Sequence, residues 1–321
     1  GSSALNGLLY IRGDRHDYDN WKDLGNKGWG YDDVLPYFKK FECQENGENE
    51  YHGVDGELKV SNLRLRRKIA DLFIKASEEI GIPYNPDCNG EKQEGVGYFQ
   101  QTSFKGFRRS SYRSFLNRKI RSRENLTIIT NTQISKLVFS DKKVIGVECI
   151  QSKGQPNKTI YANHEVILSA GAISSPQILQ LSGIGDEKHL TKLGVNVIHN
   201  NPAVGKNLQD HHEVPYVVST KKGYGYFKQD KGLRKIINGL QYILFNSGPV
   251  TSNAAETCAF LNPTDLKDNI DPPIKLYCVQ IMYTDRDTKD IKPNHGLTLT
   301  SCIMNPKARG DVKLRSSNPL D

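Results

Sequence analysis

Gly171-Ala172-Ile173-Ser174-Ser175-Pro176-Gln177-Ile178-Leu179-Gln180-Leu181-Ser182-Gly183-Ile184-Gly185 is the stretch on which the reading of this chain turns. Just ahead of it, Val166-Ile167-Leu168 is a short apolar run of the kind buried strands use. Ala170-Gly171 lets the backbone turn tightly. Ser174 or Ser175 is placed to cap a helix whose first position is Pro176, where a missing N–H costs nothing. Ser182-Gly183 then closes that helix on a glycine. Strand, turn, helix and second turn in one line predict an α/β protein. The helix start offers free N–H groups and a positive dipole end, a place for a phosphate or an electron-rich ring.

Three further blocks flank this stretch. The chain opens Gly1-Ser2-Ser3-Ala4-Leu5-Asn6-Gly7-Leu8-Leu9-Tyr10-Ile11-Arg12-Gly13; later come Asn201-Pro202-Ala203-Val204-Gly205-Lys206-Asn207-Leu208-Gln209-Asp210-His211 and Pro306-Lys307-Ala308-Arg309-Gly310-Asp311-Val312-Lys313-Leu314-Arg315-Ser316. In this order the blocks resemble the glucose–methanol–choline (GMC) family of flavin oxidoreductases, with 1–13 similar to the latter part of its first signature and 171–185 to its second. The resemblance implies α/β plus α+β architecture: an FAD-binding domain of the p-hydroxybenzoate-hydroxylase type interleaved with a sheet-based substrate domain. It assigns 1–60 to the FAD-binding domain and a lid, 61–118 to a substrate-domain insertion, 119–213 to the FAD-binding domain again, and 214–321 to the substrate domain. Gly1 falls inside a block and Asp321 inside a continuing segment, so the expectation is a chain incomplete at both ends.

The chain has 321 residues, enough for one large domain or two interleaved ones. Its mean hydropathy is −0.59, and no apolar run approaches the length of a membrane span. The net charge of +8 raises the question of nucleic acid. The densest basic cluster (Lys105, Arg108, Arg109, Arg113, Arg118, Lys119, Arg121 and Arg123) has no nucleic-acid motif or regular aromatic interleaving, so it reads as a solvated face or a funnel for a phosphate-bearing cofactor. Six cysteines (Cys43, Cys88, Cys149, Cys258, Cys278, Cys302) stand far apart without a Cys-x-x-Cys pair, against a zinc or iron–sulfur site and in favour of buried thiols in a reducing, cytoplasmic compartment.

Along the chain, the spacing predicts a helix-and-turn segment over 1–13, a turn-rich stretch over 17–30, and a helix from Tyr31 to Glu42 with Asp32 or Asp33 as cap. A polar loop or lid follows at 45–56. An amphipathic helix spans Arg67 to Gly81, with Ile69, Leu72, Phe73, Ala76 and Ile80 at helical intervals. A loop covers 85–97, and a helix opens at Ser110. Strands are expected at 126–129, 134–139, 144–150, 159–161 and 195–198, with a short helix at 189–193 and a helix at 233–245. Longer strands run from Val214 onward, with Pro272-Pro273 as a linker before 274–283.

Asn6 and Gly7 are the leading cofactor candidates: glycine lets a planar ring approach the backbone, and asparagine can donate to it and accept from it. The resemblance lays Asn6, Gly7, Leu8 and Leu9 along the isoalloxazine, with Ser3 also at the cofactor. It places Ile134 at the adenine end and makes Ala170 a further candidate. Relatives that bind FAD covalently do so through a histidine where this chain has Leu5, which implies non-covalent FAD. Glu256, a carboxylate in a largely apolar strand, is either a substrate ligand facing a choline-like trimethylammonium group, as the resemblance implies, or a structural ion-pair partner. His211 and His212 would point to opposite faces of a strand, which argues against a shared metal; His211 is kept as support for the flavin environment.

The chain has no Gly-x-Gly-x-x-Gly loop and no nucleophile elbow. The family's proton-abstracting histidine is expected beyond Asp321, and the phosphate loop before Gly1. The implied activity is oxidation of an alcohol CH–OH, choline-like or another primary alcohol, with hydride passing to flavin N5 and electrons to a quinone or other acceptor. Two alternatives stand beside it: a hydroxynitrile-lyase-type relative that keeps FAD, and an inactive piece that lacks the working ends.

Overall fold

The computed structural model describes residues 1–150, 157–221, 223–263, 273–283 and 294–321. They form two compact units, one of 1–123 with 211–305, the other of 124–210 with 306–321.

The first unit is built on a five-stranded antiparallel sheet in the order Glu213–Ser219, Gly296–Ile303, Ile274–Val279, Ala255–Leu261, Gly95–Tyr98. The period-2 alternation of a strand divides Ala255–Leu261 between two faces. On one face Cys258 and Phe260 pack with Phe99 and Cys88, and Leu9, Ile11, Tyr277 and Met304 lie against them. On the other, Ala259 meets Val96 and Ile74, the last from the helix Lys68–Glu79. Burying the Ile74 side chain there is worth about 1.5–3 kcal/mol. That amphipathic helix was legible from its spacing. So was Tyr31–Phe41, although its N-cap is Gly30 and Asp33 serves it reciprocally by accepting the Gly30 N–H at 3.1 Å.

The stretch 17–30 departs from expectation, because a helix, Arg15–Asp23, occupies its start. Asp14 accepts the His16 N–H at 3.0 Å and Asp17 accepts the Asp14 N–H at 2.9 Å, so residues that read as turn formers are a capping box. The helix Gly232–Phe245 forms as expected, but with its polar side turned inward. Asn238, Gln241 and Tyr242 are half-buried, while Leu233, Ile236, Ile237, Leu240, Ile243 and Leu244 are each more than half exposed. Pro272 of the expected linker lies outside the described residues.

A buried charge cluster clasps this unit beside the N-terminal segment. Glu42 is fully buried; it accepts from Arg12 Nη2 at 2.7 Å and pairs with His52 Nδ1 at 2.9 Å. His52 Nε2 reaches Asp87 at 2.9 Å. Burial alone would lower the His52 pKa, but the hydrogen bonds and charges of Asp87 and Glu42 outweigh it and raise the group to about 9. A group raised on folding stabilises fully below its unfolded value and loses that contribution as pH climbs through the folded one. The unit should therefore lose roughly 2–4 kcal/mol between about pH 6.5 and 9. Urea midpoints measured at half-unit pH steps would show the fall; a flat profile across that window would exclude it.

The second unit carries an antiparallel meander, Gln133–Ser140, Lys143–Ile150 and Lys158–Tyr161, in line with the expected strands. Two apolar runs, 126–129 and 166–168, are not strands. They have no partner among the described residues to complete a ladder, and Ile128, Ile129 and Ile167 stand exposed. The decisive helix runs Gly171–Leu181, five residues longer at its start than Pro176 suggested, with Ala170 as N-cap. Gly171 takes φ +95°, a conformation that costs glycine little, and Ser175 caps nothing but accepts the Ala170 N–H at 3.1 Å. The expected 195–198 strand appears two to four residues later as His199–Asn200, paired in parallel with Ile184–Gly185. The 306–316 block docks in this unit: Gln180 Nε2 donates to the Val312 carbonyl at 2.9 Å and His189 Nε2 meets the Leu314 carbonyl at 3.1 Å.

All six cysteines are free thiols. Among the described residues no helix is long and apolar enough to cross a membrane, and no cluster could hold a metal.

Candidate functional site

Residues 3–9 are held as a preformed turn on one face of the first unit's sheet. A 3-10 turn, Ser2–Ala4, starts it, and Leu9 ends it by pairing with Gln101 and packing against the Phe99–Cys258–Phe260 cluster. Between them Leu8 sits at φ +67°, a left-handed conformation that costs a residue with a side chain about 1–2 kcal/mol. Three side chains and one backbone group hold it there. Arg108 Nη1 donates to the Asn6 carbonyl and to Asn6 Oδ1, each at 2.7 Å, and to the Ser3 carbonyl at 3.2 Å. Thr102 donates its N–H at 2.8 Å and its hydroxyl at 3.3 Å to the Leu8 carbonyl. Asn253 Nδ2 donates to the Gly7 carbonyl. Ser3 is drawn in from its other side, its hydroxyl accepting the Ser111 N–H at 3.0 Å.

The donors that this turn leaves without partners among the described residues include the Asn6 side-chain NH2 and the Gly7 N–H. Apart from its chain neighbours, no atom of the described residues lies within 4 Å of where a Gly7 side chain would stand. A flat heteroaromatic ring can thus approach the backbone at Gly7 and take hydrogen bonds on its acceptor edge, so the residues present fit a flavin. Asn253 also connects the turn to a cavity of about 710 Å³ walled by Tyr226, Phe227, Val250, Ala254 and Ile281, with Lys228, Lys231 and Lys235 at its polar side. That volume lies within the range of small-molecule sites.

Glu256 lies three residues beyond Asn253 and is fully buried. Its Oε2 accepts the Arg67 N–H at 2.8 Å; its Oε1 accepts from the Tyr226 hydroxyl and from Ser252 Oγ at 3.1 Å. Burial, then the Glu256 charge and hydrogen bond, raise the Tyr226 phenol and keep it a donor. Burial and the same charge push the Cys278 thiol up to about 12. The carboxylate thus pins the entry to the helix Lys68–Glu79 and one cavity wall at once. Glu256→Gln retains the shape but turns one acceptor into a donor against donors. It should cost about 1–3 kcal/mol in a urea melt, and a variant as stable as the wild type would show that these bonds contribute nothing.

Of the residues singled out in the sequence, Ser3, Asn6, Gly7, Leu8 and Leu9 are brought together, and Glu256 lies in the same unit. Ile134 and Ala170 belong to the second unit, Ile134 half-buried in the meander opposite Cys149 and Ala170 at the helix N-cap. Sequence reasoning missed Thr102 and Asn253, and it counted Arg108 only as one charge in a basic run.

A turn that presents free donors over open backbone, beside a cavity of small-molecule size that opens to solvent, is equipment for seating a planar cofactor against a substrate. A family model described as GMC oxidoreductase matches residues 1–213, and the chain belongs to that family. It is 37% identical over its whole length to an alcohol dehydrogenase (acceptor) from Pseudomonas putida, covering 58% of that relative. It is 36% identical to an oxygen-dependent choline dehydrogenase from Sinorhizobium medicae, over 99% of this chain and 57% of that one. Pyridoxine 4-oxidase from Mesorbium loti superposes with a TM-score of 0.85 at 25% identity, over 99% of this chain and 58% of that structure. A formate oxidase from Aspergillus oryzae, studied for its FAD modification, gives 0.87 at 25% identity, over 100% and 61%. The chain spans less than two thirds of the length of each of these relatives.

Proposed function

We propose that these residues belong to an FAD-dependent oxidoreductase that acts on the CH–OH group of a primary alcohol, and that residues 3–9 face its isoalloxazine. The observation that carries this reading is the pair of free donors, Asn6 NH2 and Gly7 N–H, on a turn fixed by Arg108, Thr102 and Asn253. The fold proposed around it is the p-hydroxybenzoate-hydroxylase type, and Ile134 and Ala170 are proposed as further FAD-binding residues. Leu5 offers no nucleophile for a covalent link, so FAD is proposed to bind non-covalently.

When bound, FAD supplies the hydride acceptor. This chain's part is to orient. Asn6 and Gly7 would donate to the ring edge, and Phe227, Val250, Ala254 and Ile281 would offer apolar surface to the alcohol's carbon. No group within these residues is assigned as the proton-abstracting base. An uncharged primary alcohol suits the cavity better than choline does, because Glu256 is fully buried and does not line the cavity, while Lys228, Lys231 and Lys235 do. The electron acceptor proposed is a quinone or similar carrier, in keeping with the Pseudomonas putida relative's name.

The test is anaerobic. The natural polypeptide containing these residues should hold flavin with absorbance near the usual flavin bands, and a primary aliphatic alcohol should bleach it faster than choline. A quinone should then restore the colour faster than air does. Yellow protein that no alcohol bleaches, yet that releases cyanide from a cyanohydrin, would replace this reading with a lyase.

A further inference from the structure

We infer that Arg108 is a positioning residue for the cofactor, acting through the Asn6 amide; the inference rests on the flavin reading above. Arg108 Nη1 and the Leu8 N–H both meet the same atom of the Asn6 amide, at 2.7 and 3.2 Å. A guanidinium and a backbone N–H can only donate. The atom between them must therefore be the amide oxygen, because a flipped amide would set hydrogens against hydrogens. Its orientation follows from chemistry and does not depend on how the two amide atoms are assigned.

The consequence lies on the opposite side of the amide. With Oδ1 held by Arg108 and the Leu8 N–H, the NH2 is left without a partner, and it and the Gly7 N–H are unpaired donors on adjacent residues with open space at the Gly7 Cβ position. The same guanidinium nitrogen holds the Asn6 and Ser3 carbonyls, so it fixes the turn and the amide together. Arg108 is half-buried and has no carboxylate within ion-pair distance among the described residues. Every side-chain hydrogen bond it makes among the described residues runs from Nη1 to this turn, where Leu8 adopts a left-handed backbone. Without it, the Asn6 amide is free to rotate and a bound ring would have to order it, at the expense of affinity.

The experiment is a double-mutant cycle on FAD affinity, read by flavin fluorescence in the natural polypeptide that contains these residues. Arg108→Met should weaken FAD about 10- to 100-fold, the loss expected when a charge-assisted hydrogen bond disappears. Asn6→Ala should do likewise. In the Asn6→Ala background Arg108→Met should add threefold or less, because its amide target is gone and only its bonds to the Asn6 and Ser3 carbonyls remain. Arg108→Lys, which keeps a charge and several donors, should recover part of the loss. The visible flavin bands should shift in Arg108→Met and return toward the wild-type positions in Arg108→Lys.

An Arg108→Met affinity within threefold of wild type would overturn the inference. So would equal losses in both backgrounds, which would mean that Arg108 supports the turn independently of Asn6. If Arg108→Met does not fold, Arg108→Gln takes its place in the cycle under the same criteria. A folded wild type that takes up no FAD refutes the flavin reading and this one together, whereas a wild type that binds FAD with an indifferent Arg108 refutes this one alone.

Discussion

Glu42→Ala is expected to destabilise the unit of residues 1–123 and 211–305 by about 3–5 kcal/mol, the penalty for stranding buried charge. Glu42 is 0% exposed, and the cations it serves, Arg12 and His52, are 5% and 2% exposed. Two cations and two anions (Arg12, His52, Glu42, Asp87) balance in the native cluster. Removing Glu42 leaves both cations with Asp87 alone, which bonds His52 and does not reach Arg12 among the described residues. Arg12 keeps only the Tyr51 carbonyl at 2.8 Å and Tyr10 at 3.2 Å, neutral acceptors for a desolvated guanidinium. Glu42→Gln, with its shape intact, should cost less, about 1–3 kcal/mol. The pH behaviour supplies an independent check. Without the Glu42 carboxylate one of the two groups that raise His52 is gone, so the alkaline loss of stability should still begin near the unfolded value but be smaller and end at lower pH than in the wild type. Urea melts at pH 7 measure the first effect, and a Glu42→Ala variant within 1 kcal/mol of wild type would mean that the cluster is not a clasp. The cluster follows directly on the turn at 3–9, since Arg12 is also tied by its own N–H to Asn89 at 2.8 Å. Loosening it should therefore lower flavin affinity as well as stability.

What the sequence could reveal depended on how far each cause reached along the chain. The strands 133–140 and 143–150 and the helix 68–79 were legible because their signal, a repeat of 2 or 3.6 residues, is local. The helix 15–23 was not, because Asp14 and Asp17 belong equally to turns and to capping boxes, and only geometry separates the two. The apolar runs 126–129 and 166–168 read as strands because apolarity was taken for pairing, and pairing is a property of a neighbour. The same limit governed the site. Asn6 and Gly7 could be found from a motif. The groups that give them their geometry could not, because Thr102, Arg108 and Asn253 lie 94, 102 and 246 residues from the positions they hold. Glu256 stood out as a carboxylate in an apolar strand, yet its Arg67 partner is 189 residues away. Local chemistry marked the residue but was silent on what already satisfied it.

Gly56→Ala carries the second large effect, and its cause is contact of backbone on backbone. A methyl group at residue 56 would stand 2.0 Å from the Phe41 carbonyl carbon, 2.2 Å from its oxygen and 2.3 Å from the Glu42 nitrogen. None of these atoms can rotate away, so the chain itself must move. The displacement would fall on the joint where the helix Tyr31–Phe41 gives way to the strand Glu42–Gln44, paired in parallel with Leu58–Val60. Gly56 N–H donates to the Glu42 carbonyl at 2.8 Å, and opening that bond pulls at the residue whose side chain neutralises Arg12 and His52. Gly53 is crowded in the same way, 2.1 Å from the Lys39 carbonyl oxygen, and its N–H reaches Glu42 Oε2 at 3.3 Å. Overpacking in a yielding core costs about 1–3 kcal/mol. Here nothing yields, so either alanine should cost about 3 kcal/mol or more, at or above the top of that range. Asp55→Ala, exposed and between the two glycines, should stay within about 0.5 kcal/mol of wild type. The glycines also predict a specific chemical signature: in Gly56→Ala the His52 titration should move below 9 as Glu42 is drawn out of register, a shift that a simple loss of packing elsewhere would not produce. An NMR titration of His52 in Gly56→Ala that still centres near 9, with stability intact, would show that the loop tolerates the methyl group and that the close approach is not what keeps these positions glycine.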